Sequence, residues 1–304
     1  MSNPEISFLN NSDIDREKWD QCIARSAVST IYSQSGYLDL VAPNWDALIM
    51  GDYSYIMPLN IKRKLGMNFL LQPIFAQQHG ISPEAVYTIQ NIFLKYIHNH
   101  FRYVAINLNA AHTEPFPEGY IVSQRDNFIL NLSPAYEELK KNFSKHARRQ
   151  IRKAEDQKVA VVRGLQSEEY LNLKNLATGN KLPKKSMQTL QRLIEFCHTN
   201  GNGTIYAAYD DSNNLCAAAF FLFAGKRIIY LNAASGEEGK NNSSMYRIID
   251  QFIKEHSSSP ITLDFEGSTI PGIARFYKGF GAEPEQYYGL KMNRLPIPLR
   301  WFIK

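Results

Sequence analysis

Residues 263–282, LDFEGSTIPGIARFYKGFGA, bring Asp264, Glu266, Arg275 and Lys278 close together in the chain. Leu263 and Phe265 alternate with Asp264 and Glu266, so a strand here turns both acids to one face and the apolar pair to the other. Gly267-Ser268 ends that strand. Pro271-Gly272 opens a short helix in which Ala274, Phe276, Tyr277 and Phe280 pack while Arg275 and Lys278 sit one turn apart on one side. A carboxylate can take a proton, and a fixed ammonium can stabilise negative charge as it develops. Asp264 and Glu266 are therefore candidate bases, Lys278 the candidate fixed positive charge, and the Tyr277 phenol a candidate donor to a substrate.

A second constellation is FSKHARRQIRKAE, residues 143–155. Leu139, Phe143, Ala147, Ile151 and Ala154 recur at about 3.6 residues, which predicts one long helix over residues 135–157. Between positions 140 and 153 its other face carries Lys140, Lys141, Lys145, Arg148, Arg149, Arg152 and Lys153 and no acid. Like charges one turn apart repel, so such a face predicts a compensating anion or acids from elsewhere in the fold. Arg148 and Arg152, with Lys145, are the candidate clamp for a phosphate or carboxylate.

Together these segments resemble the FemAB-like branch of the GNAT acyltransferase superfamily. The residues that carry the resemblance are the Arg/Lys helix ending in IRKAE, the strand ending in Asp264-Phe265, and the Lys-x-Phe-Gly of residues 278–281. The family consists of two fused GNAT-like domains. It is known for adding amino acids to peptidoglycan precursors, and its relatives include acyl-CoA N-acyltransferases. The resemblance implies transfer of an acyl or aminoacyl group to an amine, no permanently bound cofactor, and acyl-CoA or aminoacyl-tRNA as donor substrate. It implies an anionic acceptor of the small-molecule or cell-wall-precursor kind, and tRNA as a partner. In such a reaction the amine loses a proton, charge grows on the carbonyl oxygen, and a thiolate or ribose hydroxyl departs. Glu266 or Asp264 would then bind the amine or take its proton, and Lys278 would meet the oxyanion or a substrate phosphate.

A coenzyme A donor in this superfamily is expected to meet a Q/R-x-x-G-x-G/A run at a helix N-terminus. The stretch after the predicted strand at 227–232, AASGEEGKNNSS, lacks that run and carries Glu237 and Glu238 instead. Ser243 and Ser244, opening the next helix, are the candidate phosphate ligands there, and Gln77-Gln78-His79-Gly80 is the shorter counterpart in the first half. Two other functions compete: an acyl-CoA-dependent N-acetyltransferase, and a non-catalytic tandem-GNAT protein that binds an anionic ligand or nucleic acid.

The elements that must position these residues recur in one order. Strand, two helices, three antiparallel strands, helix, strand and a closing hairpin are predicted first in residues 1–132 and again in residues 133–304, with Ser133-Pro134 marking the join. That order predicts a mixed α+β sheet in each of two GNAT-like domains. At 304 residues and 44% hydrophobic, the chain is long enough for two cores of about 150 residues each. No basic segment leads into an apolar core at the start and no run approaches about 18 apolar residues, which predicts a cytoplasmic protein without a membrane span. Cys22, Cys197 and Cys216 are odd in number and far apart, so they predict small core residues rather than disulfides or a thiolate metal site. His98 and His100 have no third ligand at zinc spacing, and no metal is predicted. G-x-S-x-G and P-loop signatures are absent. The net charge of +5 fits an anionic substrate, a nucleic acid or solubility alone, and nothing sets an oligomeric state.

Overall fold

The computed structural model describes residues 5–26, 31–64, 66–177, 182–267 and 270–297. The chain divides into two compact units: Met1–Arg125 with Gln286–Lys304, and Asp126–Glu285. The sequence division at 132/133 differs from these units in two ways. The passage lies a few residues earlier, inside a strand, and the chain returns to the first unit inside its last strand. Neither passage has a linker's composition, so turn and proline signals point elsewhere.

The first unit runs β1 (Ile6–Leu9), α1 (Arg16–Ala24), α2 (Ser35–Val41), β2 (Asp46–Met50), β3 (Tyr55–Leu59), β4 (Ile61–Lys64), β5 (Met67–Leu71), α3 (Tyr87–His100), β6 (Tyr103–Asn107) and the first half of β7 (Ile121–Asn131). Asp15 caps α1 by accepting from the amides of Glu17 and Lys18. β1, β2 and β3 form an antiparallel sheet. β4 pairs antiparallel with β5, and β5 parallel with β6. α3 buries Phe93, Leu94 and Ile97 against Val104 and Ile106 of β6. Past the end of β5 the chain stays against β6: the Gln72 amide reaches the Ala105 carbonyl and the His79 amide the Asn107 carbonyl. Residues 72–81 thus fill the space beside β6.

The second unit continues β7, then α4 (Tyr136–Lys141), α5 (Lys145–Asp156), β8 (Ala160–Arg163), α6 (Ser167–Leu176), α7 (Lys184–Thr199), β9 (Gly203–Tyr209), β10 (Leu215–Ala224), β11 (Arg227–Ser235), α8 (Glu237–Asn241), α9 (Ser244–His256), β12 (Thr262–Asp264), α10 (Pro271–Gly279) and the start of β13 (Glu283–Asn293). Its strands lie in the order β7-β12-β11-β10-β9-β8, with only β11 and β12 parallel. The core centres on Phe221, stacked on Phe252 at 3.8 Å, with Leu263, Phe265 and Phe280 buried around it.

One predicted element is corrected. The helix expected over residues 135–157 is two helices, α4 and α5, broken at Asn142-Phe143-Ser144. Ser144 starts a new helix by accepting from the Ala147 amide, and its own amide is held by the Gly279 carbonyl of α10. Phe143 is buried at the break, edge-on to Phe280 at 5.2 Å.

Candidate active site

β11 and β12 pair only from Arg227 with Thr262 to Ile229 with Asp264. Beyond that point β11 runs on to Ser235 while β12 stops, and the two strands part. A bulge sits at the parting: Phe220 faces Asn232 and Phe221 faces Tyr230, so Leu231 has no counterpart on β10. A bulge bends and twists its strand locally, which widens such a gap. The gap is a cavity of about 630 Å³. Tyr230, Asn232 and Ala233 of β11 line one side and Glu266, just past β12, the other. α5 contributes His146 and Gln150, α9 contributes Tyr246, and α10 contributes Phe276 and Tyr277, while Lys240 and Ser243 come from the segment before α9.

Aromatic rings form part of the wall. Tyr277 stacks on Phe265 at 4.9 Å and meets Tyr230 edge-on at 6.1 Å, and Tyr246 meets Phe276 at 4.8 Å and His146 at 5.8 Å. Burial pushes the phenols of Tyr230 and Tyr277 far above their ordinary range, so both are neutral hydroxyls at physiological pH.

The two acids of the 263–282 segment part company. Strand pairing ends at Asp264, so the alternation expected to turn both carboxylates to one face does not reach Glu266. Glu266 has a left-handed backbone, φ 59°, and lines the cavity. Its amide donates to Asp264 Oδ1 at 2.7 Å and its carbonyl accepts the Phe128 amide at 3.2 Å. Asp264 is 1% exposed, with Oδ2 2.7 Å from Arg227 Nε, and Arg227 also pairs with Glu285. Burial pushes the Asp264 carboxyl above its ordinary value while the Arg227 guanidinium pulls it down.

Tyr277 lies in the cavity wall but Lys278 does not. Lys278 is exposed, with Nζ 5.3 Å from the centre of the Phe128 ring. A helix turns about 100° per residue, so position 278 points well away from 273, 276 and 277, which line the cavity. The same rotation separates the basic residues of α5 from the cavity. His146 and Gln150 face it, whereas Lys145, Arg148 and Arg152 are exposed and lie around the helix. Arg148 donates to the carbonyls of Phe143 and Lys141, both at 2.9 Å, closing the end of α4. Ser243 lines the cavity and Ser244 is fully buried. Ser243 Oγ donates to Gln150 Oε1 at 2.5 Å, and Ser244 gives both its amide and its hydroxyl to Asn242 Oδ1. Both hydroxyls at the start of α9 are thus taken by partners within the chain.

His146, Gln150, Asn232, Lys240 and Tyr246 were not singled out by sequence. Their signals are faint: an i, i+4 pair beside the apolar stripe of α5, and an asparagine interrupting an otherwise apolar strand. Among the described residues no group of three His, Cys, Asp or Glu could hold a metal ion, and no helix is long and apolar enough to cross a membrane.

No family model matches the chain, and no curated protein does. Solved structures do. FemX aligns over 98% of this chain and 99% of its own at 14% identity, with a TM-score of 0.66. L-PGS from Bacillus licheniformis aligns over 95% of each chain at 10% identity and a TM-score of 0.54. A tandem GNAT protein from the clavulanic acid biosynthesis pathway aligns over 96% of this chain and 99% of its own at 11% identity and a TM-score of 0.52. With its helices and large mixed sheet, this chain has the FemX-like tandem GNAT fold.

Proposed function

We propose that the chain is an acyltransferase that moves an acyl or aminoacyl group onto an amine, with the donor carbonyl seated where β11 and β12 part. The observation that carries this reading is Glu266, a carboxylate on the wall of a cavity whose other wall is the open edge of a bulged strand. The amine nitrogen attacks the carbonyl carbon, a C–N bond forms, and the carbonyl electron pair moves onto oxygen. Glu266 takes the amine proton, and the pair returns as the C–S or C–O bond to the donor breaks. Asp264 serves as a positioning residue, because its carboxylate holds the Glu266 amide. Tyr277 and Tyr230 offer hydroxyls to the substrate. Lys278, with Lys145, Arg148 and Arg152, is assigned to the anionic part of a substrate outside the cavity, consistent with their exposure.

The donor is acyl-CoA or aminoacyl-tRNA. The bonds of Ser243 to Gln150 and of Ser244 to Asn242 favour an aminoacyl ester, because the groups expected to meet a diphosphate already have partners. The reading is of a cytoplasmic enzyme without a resident cofactor. The exposed basic face of α5 supports one competing function, a non-catalytic anion binder. Thermal shift with coenzyme A, charged tRNA and an unrelated duplex separates them, since a ligand that binds only the folded state raises the melting temperature. Stabilisation by coenzyme A or by charged over uncharged tRNA supports transfer. Equal, salt-sensitive stabilisation by any nucleic acid would overturn it in favour of the binder.

A further inference from the structure

We propose that the acyl group moved by this site is large and apolar, a branched aliphatic or aromatic chain, and that a slot between α9 and α10 receives it. This rests on the acyl-transfer reading above and names the class of acyl group. Ile273, Phe276 and Tyr277 stand at i, i+3 and i+4 on α10, so they share one face of that helix, and all three line the cavity. Tyr277 meets Tyr230 of β11 edge-on at 6.1 Å, beside the place assigned to the reacting carbonyl. Burial falls along the face from there, from Tyr277 at 8% exposed through the half-buried Phe276 to Ile273 at 38%. The face thus leads outward from the carbonyl and is apolar or aromatic throughout.

Met245 and Tyr246 of α9 form the other side of the slot. Tyr246 meets Phe276 at 4.8 Å, and the Tyr230 hydroxyl lies 3.2 Å from Met245 Sδ, which ties the thioether to the same wall. Met245, Tyr246 and Phe276 each pack against the core on one side and line the cavity on the other. A thioether adapts its shape to what it meets, which suits a wall that receives chains of different form. Polar groups of the wall are turned to partners within the protein: Ser243 Oγ donates to Gln150 Oε1 at 2.5 Å, and Asn232 Oδ1 accepts the Tyr170 hydroxyl at 2.7 Å. A charged chain entering the slot would give up its water for carbon, whereas an aliphatic or aromatic chain covers apolar surface that water now meets, Ile273 above all. The cavity of about 630 Å³ gives room for such a chain, whereas an acetyl methyl would leave most of the slot bare.

The test uses the full chain with hydroxylamine as a small amine acceptor, corrected for uncatalysed transfer, and two sets of donors. One set is acetyl- and hexanoyl-CoA; the other is glycyl, lysyl and leucyl groups carried by one and the same tRNA. The set that is used tells whether the chain arrives as a thioester or as an ester. Within it, hexanoyl is expected to exceed acetyl, or leucyl to exceed both glycyl and lysyl, by at least about tenfold in kcat/KM, the least that one methylene brings in an apolar pocket. Ile273→Trp, which narrows the slot, should lower that ratio by about tenfold or more. Ile273→Ala, which removes apolar surface at an exposed position, should lower it in the same direction and decides the matter if the tryptophan variant does not fold. Equal or better transfer of acetyl or glycyl, equal transfer of lysyl and leucyl, or an unchanged ratio in either folded variant overturns the proposal and leaves the acyl-transfer reading standing. A parent chain inactive with every donor overturns that reading, and this proposal with it.

Discussion

Glu266 reaches the cavity through a conformation that L-residues adopt at a cost. Its φ of 59° lies in the left-handed region, worth about 1–2 kcal/mol of strain for a residue with a Cβ. The hydrogen bond from its amide to the buried Asp264 carboxylate helps to hold it there. Strain retained at the one carboxylate among the described residues of the cavity wall points to use of that carboxylate. We expect Glu266→Gly to keep or raise the melting temperature while reducing turnover by about a hundredfold, with Glu266→Gln losing as much activity at unchanged stability. Retained turnover in both variants would remove Glu266 from the chemistry. Asp264→Ala should lower stability as well as turnover. It leaves Arg227 without its innermost partner, and breaking a buried ion pair costs about 3–5 kcal/mol, here nearer the low figure because Glu285 remains. Urea denaturation measures it, and a loss below about 1 kcal/mol would show that Arg227 does not depend on Asp264. Lys278→Met should leave stability and kcat unchanged and alter only KM for an anionic donor; a hundredfold fall in kcat would instead make Lys278 the oxyanion partner.

At the scale of elements, α4 and α5 show what periodicity conveys and what it does not. Leu139, Phe143, Ala147, Ile151 and Ala154 are all buried, as the 3.6-residue spacing predicts, yet Leu139 belongs to α4, Ala147, Ile151 and Ala154 to α5, and Phe143 to the break between them. Ser144, with its hydroxyl capping α5 and its amide taken by Gly279, makes the break, and that second bond depends on a residue far along the chain. The break should be visible in stability. We expect Ser144→Ala to cost about 1 kcal/mol for the lost cap, and Arg148→Ala a similar amount for two bonds to carbonyls, with Arg152→Ala near zero. If Arg148 and Arg152 prove equal, the closure of α4 by Arg148 contributes nothing. The sequence made the basic face legible, but not that the cavity lies on the His146 and Gln150 side of the same helix. The mixed α+β order of elements and the burial of all three cysteines were legible too, because they follow from local pattern and composition. The bulge at Leu231 was not, since RIIYLNAAS contains neither glycine nor proline to announce it. The parting of β11 from β12 depends on where a parallel partner stops, which no local signal encodes.

For the molecule as a whole, the two units treat a similar junction differently. In the second unit a parallel pair parts and leaves a cavity, whereas in the first the parallel pair of β5 and β6 is followed by residues 72–81, which close onto β6 through Gln72 and His79. That closure buries His79 and, beside it, His112. Gly80 lies between them at φ 143°, where a Cβ would come within 2.6 Å of the His112 ring. His112 is held neutral by its partners, since Nε2 accepts the Ile81 amide and Nδ1 donates to Asn109 Oδ1 at 2.8 Å. Burial lowers both imidazoles from 6.5 to about 4. Their folded pKa is depressed, so the stability they confer is complete above the unfolded value and is lost as pH falls toward the folded one. Between those limits the unfolded chain binds up to two more protons, a slope of at most about 3 kcal/mol per pH unit. Asp46 works the other way, because burial raises its carboxyl. We therefore expect hydrogen-exchange protection factors at amides of the first unit, around β6 and residues 79–82, to fall from pH 7 to pH 5 before those in the core of the second unit do. His79→Gln with His112→Gln should flatten that dependence even if the variant is less stable at pH 7. An equal slope in parent and double variant would show that other groups govern the acid response of this unit.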